Sequence, residues 1–391
     1  MHLIYLKGEK MKELGIYIHI PFCKQKCYYC DFVSYANKKE KISEYIECLI
    51  KEIEIEANKY KNQEYKVTTI YIGGGTPSLI DAFYIEMILK KIEESYKLSE
   101  YPEVTIEINP GTINEEKMKK YKEIGINRIS IGLQTTKNNL LKQIGRIHTY
   151  EEFLDCYKLA EKMNFKNINV DLMLGLPNQT LEDLKDSLDK IIKLKPNHIS
   201  LYSLILEEDT KLEEMVNKNE VKLPNEDIER NMYWNTKKIL EKNGYMHYEI
   251  SNFAKKGFES KHNMNCWYQK EYLGFGVAAH SYINKERHCN TNSIEEYIKN
   301  VKSNNLINNR TICEIQNKND EEKEYMLLGL RKIDGIDIQE FKNKFVDNPI
   351  YVFYKELEKL SSEGLLEIDL NKIKLTKKGL DFANLVWEEF V

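Results

Sequence analysis

Three cysteines fall within eight positions of the stretch IHIPFCKQKCYYCDF (residues 18–32): Cys23, Cys27 and Cys30. A structural zinc ion wants four protein ligands, usually as two separated pairs. A fourth ligand could come from His19, but it belongs to the strand expected before the loop. Three thiolates suit three irons of a [4Fe–4S] cluster instead. The fourth iron is then left open to chelate a small molecule that carries an amine and a carboxylate. A cluster with one vacant corner is the expected occupant, and zinc or merely buried thiols is the competing reading.

Other residues fit that chemistry. YIGGGTPS places Gly73, Gly74 and Gly75 directly after an expected strand, where bare backbone lets a ligand's polar head approach. No Lys-Ser/Thr pair follows, so a nucleotide P-loop is not indicated. Glu107 in TIEINPG, Gln134 in SIGLQT and Asp171 in VDLMLGLP each stand near the end of an expected strand. Arg146, in IGRIHT, lies one βα unit beyond Gln134. Polar side chains converging on one rim of an α/β core can hold ribose hydroxyls, a carboxylate and an amine. Taken singly, each could equally be an ordinary polar loop residue.

The elements that must position these residues alternate. Short β-branched runs at 15–20, 68–72, 103–108, 128–133, 167–174 and 198–206 are the expected strands. Helices are expected near 40–60, 81–97, 114–124, 150–163, 181–193 and 225–243. Six βα units imply an α/β protein with a partial (β/α)6 barrel over residues 1–245, its site at the strand C-termini. Residues 246–319 read as a barrel extension and connector. HYEISNFA is one further strand, KHNMNCWYQKEYLGFGVAAHSY lacks a helix period, and 303–319 is a polar connector. Residues 320–391 read as helices, a hairpin turning at Asp369–Lys372 and a closing helix, a small α+β winged-helix-like domain.

Composition narrows the classes. With 391 residues, more than one core is expected. The net charge of −4 gives no general pull toward nucleic acid, and residues 321–391 hold 11 basic against 15 acidic residues. A DNA-reading wing wants a basic face, so no nucleic-acid partner is expected. The eight cysteines belong to a chain too long for a disulfide-built secreted module, and no stretch reads as a signal peptide or membrane span. A reducing cytoplasm, with membrane contact at most peripheral, is the expectation.

The ordered spacing C-x3-C-x2-C, with Tyr29 inside its last gap, resembles the signature of the radical S-adenosylmethionine superfamily. In such proteins the reduced cluster gives one electron to the sulfonium of S-adenosylmethionine, and homolysis of the C–S bond yields a 5′-deoxyadenosyl radical. Nearly the whole chain resembles the coproporphyrinogen dehydrogenase-like branch, and within it the HemW-type heme chaperones. The matching stretches run through YIHIPFCKQKCYYCDF, GGGTPS, IEINPG, RISIGLQT, IGRIHT, DLMLGLPNQT, HNMNCW and YLGFGVAAHSY to the C-terminal KLTKKGLDF.

The resemblance implies that Cys23, Cys27 and Cys30 hold the cluster. It further implies that Tyr17, Tyr29, Gly74, Gly75, Thr76, Glu107, Gln134, Arg146 and Asp171 line the S-adenosylmethionine site, some of them serving a second cofactor molecule in the related dehydrogenases. Two features separate the branches. The decarboxylating enzymes carry another cysteine two places after the third, where this chain has Phe32, and a longer N-terminal extension. Both favour a heme chaperone over an enzyme that oxidatively decarboxylates coproporphyrinogen III.

HNMNCW resembles the family's heme-associated H-N-x-x-Y-W stretch, with Cys266 in place of Tyr. His262 or Cys266 is then the candidate heme ligand, since imidazole and thiolate both ligate haem iron. His280 and His288 are weaker candidates, and a hydrogen-bonded structural role is the competing reading for His262. A heme-accepting apoprotein, an electron donor such as flavodoxin or ferredoxin, and a homodimer are the partners this resemblance implies.

Overall fold

The computed structural model describes residues 11–391; residues 1–10 of the expected first unit lie outside the described residues. Six parallel strands form the centre: β1 (Lys12–Ile20), β2 (Tyr65–Gly74), β3 (Leu98–Ile108), β4 (Arg128–Gln134), β5 (Asn167–Leu174) and β6 (His198–Ser203). They lie side by side in sequence order, the outcome of successive βα crossovers. The helices between them are α1 (Ile42–Lys59), α2 (Ala82–Ser95), α3 (Glu115–Glu123), α4 (Tyr150–Lys162) and α5 (Leu181–Leu194), followed after β6 by α6 (Glu226–Lys242). Thr149 with Glu152 and Thr180 with Asp183 form reciprocal capping boxes that start α4 and α5.

Strand periodicity decides which side chains meet. Ile16, Ile18 and Ile20 of β1, Ile70 and Ile72 of β2, Ile106, Ile129, Ile131, Val170 and Ile199 join one aliphatic core with the helices. The other face carries the alternate residues in register: Tyr17 beside Tyr71, Glu107 beside Ser130, Asp171 beside Ser200. The inner face of this sheet is therefore polar and aromatic.

Six more strands extend the sheet to twelve. On one edge β7 (Met246–Glu249) and β8 (Asn252–Ala254) form a hairpin against β6. On the other, β9 (Tyr272–Phe275) pairs parallel with β1, and β10 (His280–Ile283), β11 (Glu286–Asn290) and β12 (Arg310–Ile315) follow antiparallel. Several expectations are corrected here. HYEISNFA is two strands, turned at Ile250 and Ser251, and β6 ends at Ser203, where Leu204 turns to bond Leu174. The connector at 303–319 contains the edge strand β12, which is exposed on both faces, Ile312 and Ile315 included, so no one-sided burial pattern marks it.

Residues Lys261–Trp267 are helical (α7), although seven residues show no period. Ser260 caps the helix, and Glu103 of β3 accepts its first two backbone N–H groups, from Lys261 and His262. A second hydrophobic core, with Tyr325, Met326, Phe341, Phe353, Leu357 and Ile373 at its centre, lies in the winged-helix-like C-terminal part. Its three-stranded sheet includes the hairpin of β14 (Leu366–Ile368) and β15 (Lys372–Leu375), with β13 (Ile336–Asp337) beside β15. The Asp369 carboxylate accepts from Asn371 and Lys372 N–H at the turn. Arg331 sits between Trp267 and Trp387, 4.5 and 4.8 Å from the ring centres, tying this part to α7. Among the described residues no helix is long and apolar enough to cross a membrane.

Candidate functional site

The cysteine loop leaves the C-terminal end of β1. Phe22 and Cys23 pair with Tyr35 and Ala36, closing the loop at its base. The glycine run is stitched to that base: Gly75 N–H donates to Ile20 O and Thr76 N–H to Phe22 O, both at 2.9 Å. A Cβ at Gly75 would lie 3.0 Å from both carbonyl oxygens at positions 20 and 22, and 3.1 Å from Cys23 Sγ. Gly74 adopts a φ of +108°, and a Cβ there would lie 2.6 Å from the His19 ring. The glycines let two strand ends close on one another.

Around the loop runs a connected polar chain. Thr76 Oγ1 donates to Cys23 Sγ at 3.6 Å and accepts from Asn109 Nδ2 at 3.0 Å. Arg146 donates to Asn109 Oδ1 at 2.7 Å and to Cys27 Sγ at 3.6 Å. A third acceptor, Gly132 O, takes the same guanidinium. Asn109 was not anticipated from the sequence, although it stands two residues past Glu107 in the same motif. Arg146 is held by a short helix, Asn138–Gln143, inserted before α4. It therefore lies in the same crossover as Gln134 rather than one unit beyond it.

Deeper on the inner face, Glu107 accepts from Tyr71 OH at 2.8 Å and from Gly74 N–H at 3.2 Å. Burial pushes its carboxyl up to about 7, opposed by the Tyr71 hydrogen bond and reinforced by Asp171. Asp171 is raised by burial against bonds from Asn169 and Ser130. It lies three residues short of the end of β5, below the rim. Gln134 ends β4 with a φ of +75° after a register break, which turns it into the space beside Gly132. Tyr17 stacks near Tyr71 with its hydroxyl 3.0 Å from His19 Nδ1, and Tyr29 is half-buried within the loop, near Arg146.

Two competing readings are tested by these contacts. His19 has both ring nitrogens engaged, by Tyr17 OH and by Val33 O at 2.9 Å, so it is not a free fourth metal ligand. Cys48 and Cys156 are buried in α1 and α4, away from the loop. Burial raises the Cys23 thiol, with Thr76 and Ser34 opposing, and pushes Cys30 up to about 11 with help from Cys27. Three thiols on one loop, cradled by a glycine whose Cβ would crowd the first, fit an iron–sulfur group.

The HNMNCW residues occupy the opposite end of the same face. His262 Nδ1 bonds Thr69 Oγ1 at 2.9 Å, and its ring stacks on Tyr71 at 5.2 Å. A Cβ at Gly15 would lie 3.6 Å from it. Gly15 and Ile20, where the cysteine loop begins, are five strand residues apart, roughly 16 Å. His262 and Cys266, four apart, share one side of α7. Burial, then Arg128, pushes His262 down to about 4, and burial pushes Cys266 up to about 11 with Arg287 opposing. His280 and His288 stand farther along the sheet, on β10 and β11.

Comparison with known proteins agrees with this architecture. The family model described as the radical SAM superfamily matches residues 17–191, and the HemN C-terminal domain matches residues 316–382. The protein described as heme chaperone HemW from Lactococcus lactis is 40% identical, over 97% of this chain and 98% of that one. Its namesake from Bacillus subtilis is 36% identical, over 96% and 98%. The solved structure of coproporphyrinogen III oxidase (HemN) from Escherichia coli superposes with a TM-score of 0.84, covering 97% of this chain and 90% of that one, at 22% identity, a likeness of fold. By its full-length similarity to these relatives and its radical SAM core, the chain belongs to the HemW family of the radical SAM superfamily.

Proposed function

We propose that this protein is a heme chaperone: it binds heme and passes it to an acceptor apoprotein, and it carries a [4Fe–4S] cluster with S-adenosylmethionine at the open iron. The observation that carries the reading is the end-to-end similarity to relatives that bear that description. Phe32 in place of a further cysteine points the same way. Cys23, Cys27 and Cys30 would hold the cluster, whose chemistry is one-electron delivery to the sulfonium.

The chain's own residues would serve the cofactor as follows. Gly74, Gly75 and Thr76 leave room for its polar head, and Glu107, Gln134 and Asp171 offer acceptors to hydroxyls and the amine. Arg146 places a cation beside Cys27 and offsets the negative charge of a thiolate-bound cluster. Tyr17 and Tyr29 wall the space with aromatic surface. His262 or Cys266 would ligate heme from α7, about a strand length from the cysteine loop, but beside Tyr71 and so at the border of the S-adenosylmethionine site. A cytoplasmic location, a homodimer, a flavodoxin- or ferredoxin-type electron donor, and division into 1–245, 246–319 and 320–391 belong to the same proposal.

The test is heme titration of anaerobically reconstituted protein, with and without S-adenosylmethionine. A Soret shift saturating at a stoichiometric heme ratio, weakened in His262→Ala or Cys266→Ala, supports the proposal. No Soret change, or protoporphyrinogen formed from coproporphyrinogen III under reducing conditions, overturns it.

A further inference from the structure

Away from the sites already described, three soft-ligand side chains meet on neighbouring strands at the far edge of the sheet. His280 opens β10 and stands directly across from Cys289 on β11. On β12, Thr311 pairs with Cys289 and Ile312 with His288, but the next pairing is Glu314 with Arg287. Cys313 is thus the extra residue of a bulge, which has no partner of its own and is re-aimed by the local twist. It comes to Cys289, Sγ to Sγ, at 3.6 Å. One donor atom from each of His280, Cys289 and Cys313 lies within 4.8 Å of the other two.

We propose that His280, Cys289 and Cys313 form a three-ligand site for a single Zn2+ ion, separate from the cysteine loop. Two thiolates and an imidazole are a zinc donor set. Two Zn–S bonds of about 2.3 Å at a tetrahedral angle hold their sulfurs about 3.8 Å apart, close to the 3.6 Å observed. A disulfide would need about 2.05 Å. The His280 ring makes no hydrogen bond to a described residue, so a ring nitrogen is available to the ion. His280 and Cys313 are exposed and Cys289 half-buried, so the fourth coordination position faces solvent. Three protein ligands and an open fourth make this a site that exchanges its metal or accepts an outside donor, unlike a closed structural zinc.

The test uses tag-free, full-length chain in which Cys23, Cys27 and Cys30 are replaced by alanine, so that the loop cannot take metal. Under anaerobic, reduced conditions one equivalent of Co2+ should give thiolate-to-cobalt charge-transfer absorption and tetrahedral d–d bands, lost on adding Zn2+. Cys289→Ser or Cys313→Ser should weaken binding at least tenfold, and His280→Ala should weaken it measurably. In the unsubstituted chain, Zn2+ should protect Cys289 and Cys313 from alkylation, read by peptide mass spectrometry. Equal metal binding by the parent and by Cys289→Ser/Cys313→Ser, or no protection of these two thiols, overturns the proposal. So does isolation of the pair as a disulfide that forms whether or not zinc is present.

Discussion

Arg146 and Cys27 are 119 residues apart in the chain, and the guanidinium of one donates to the sulfur of the other at 3.6 Å. The same guanidinium is bonded to Asn109 and to Gly132 O, so the cation is fixed before any ligand arrives. Burial disfavours its charge, but its interactions with Cys27 and Tyr29 outweigh that, and the guanidinium is held above its ordinary range. With Cys27 as a cluster ligand, as proposed, this half-buried cation would offset part of the cluster's charge.

Removing that cation should cost both stability and cluster. Arg146→Ala leaves Asn109 Oδ1 and Gly132 O without a donor, and buried unsatisfied acceptors of this kind cost roughly 2–4 kcal/mol in total. Urea denaturation of the metal-free protein should register the loss, and iron per chain after anaerobic reconstitution should fall. Arg146→Lys should recover only part of either, because one ammonium cannot span three acceptors held by a planar fork. Unchanged stability in Arg146→Ala would contradict the role assigned to it.

Gly74→Ala is expected to be more damaging than a surface change. The residue combines a left-handed φ with a 2.6 Å approach to the His19 ring. Backbone strain of this type costs on the order of 1–3 kcal/mol. His19 must move, and with it the bonds to Tyr17 and Val33 that fix the start and end of the cysteine loop. Thermal unfolding and iron content should both drop.

Glu107 makes the metal-free protein's stability depend on pH. Its folded pKa of about 7 lies above the ordinary 4.5, so the folded state binds the proton more tightly than the unfolded chain. The stabilisation is complete below about 4.5 and is lost as pH rises through 7, about 3 kcal/mol across that window. Asp171, raised in the same direction, adds to the trend. Denaturation midpoints measured from pH 5 to 8 should fall with pH in the parent and flatten in Glu107→Gln. An equal slope in both proteins would assign the dependence to other groups.

The cysteines should separate cleanly by position. Cys27→Ser should abolish the brown chromophore of reconstituted protein. Cys48→Ser and Cys156→Ser should keep it: the first sulfur faces Ile298 O at 3.8 Å, and the second is pushed up to about 12 by burial in α4. If Cys48 proved indispensable for iron binding, the ligand set would have to be redrawn.

The local code of the chain was legible. Alternating β-branched residues and capped amphipathic stretches marked the six parallel strands and their helices, because burial on one face imposes the period directly on the sequence. The C-x3-C-x2-C spacing was legible for the same kind of reason, since a loop of eight residues brings its own donors together.

Tertiary structure alone decided the rest. Helix α7 is too short to show a period and is started by Glu103, 158 residues away from Lys261. The edge strand β12 exists because β11 offers it a ladder, and being exposed on both faces it shows no inward/outward alternation to read. The meeting of Arg146 with Asn109 and Cys27, and of Cys313 with Cys289 and His280, follows from strand register and one bulge. Local sequence can specify which conformation a segment prefers. Which distant side chains share a few ångströms depends on how all the strands stack, and that is set by the packing of the whole sheet.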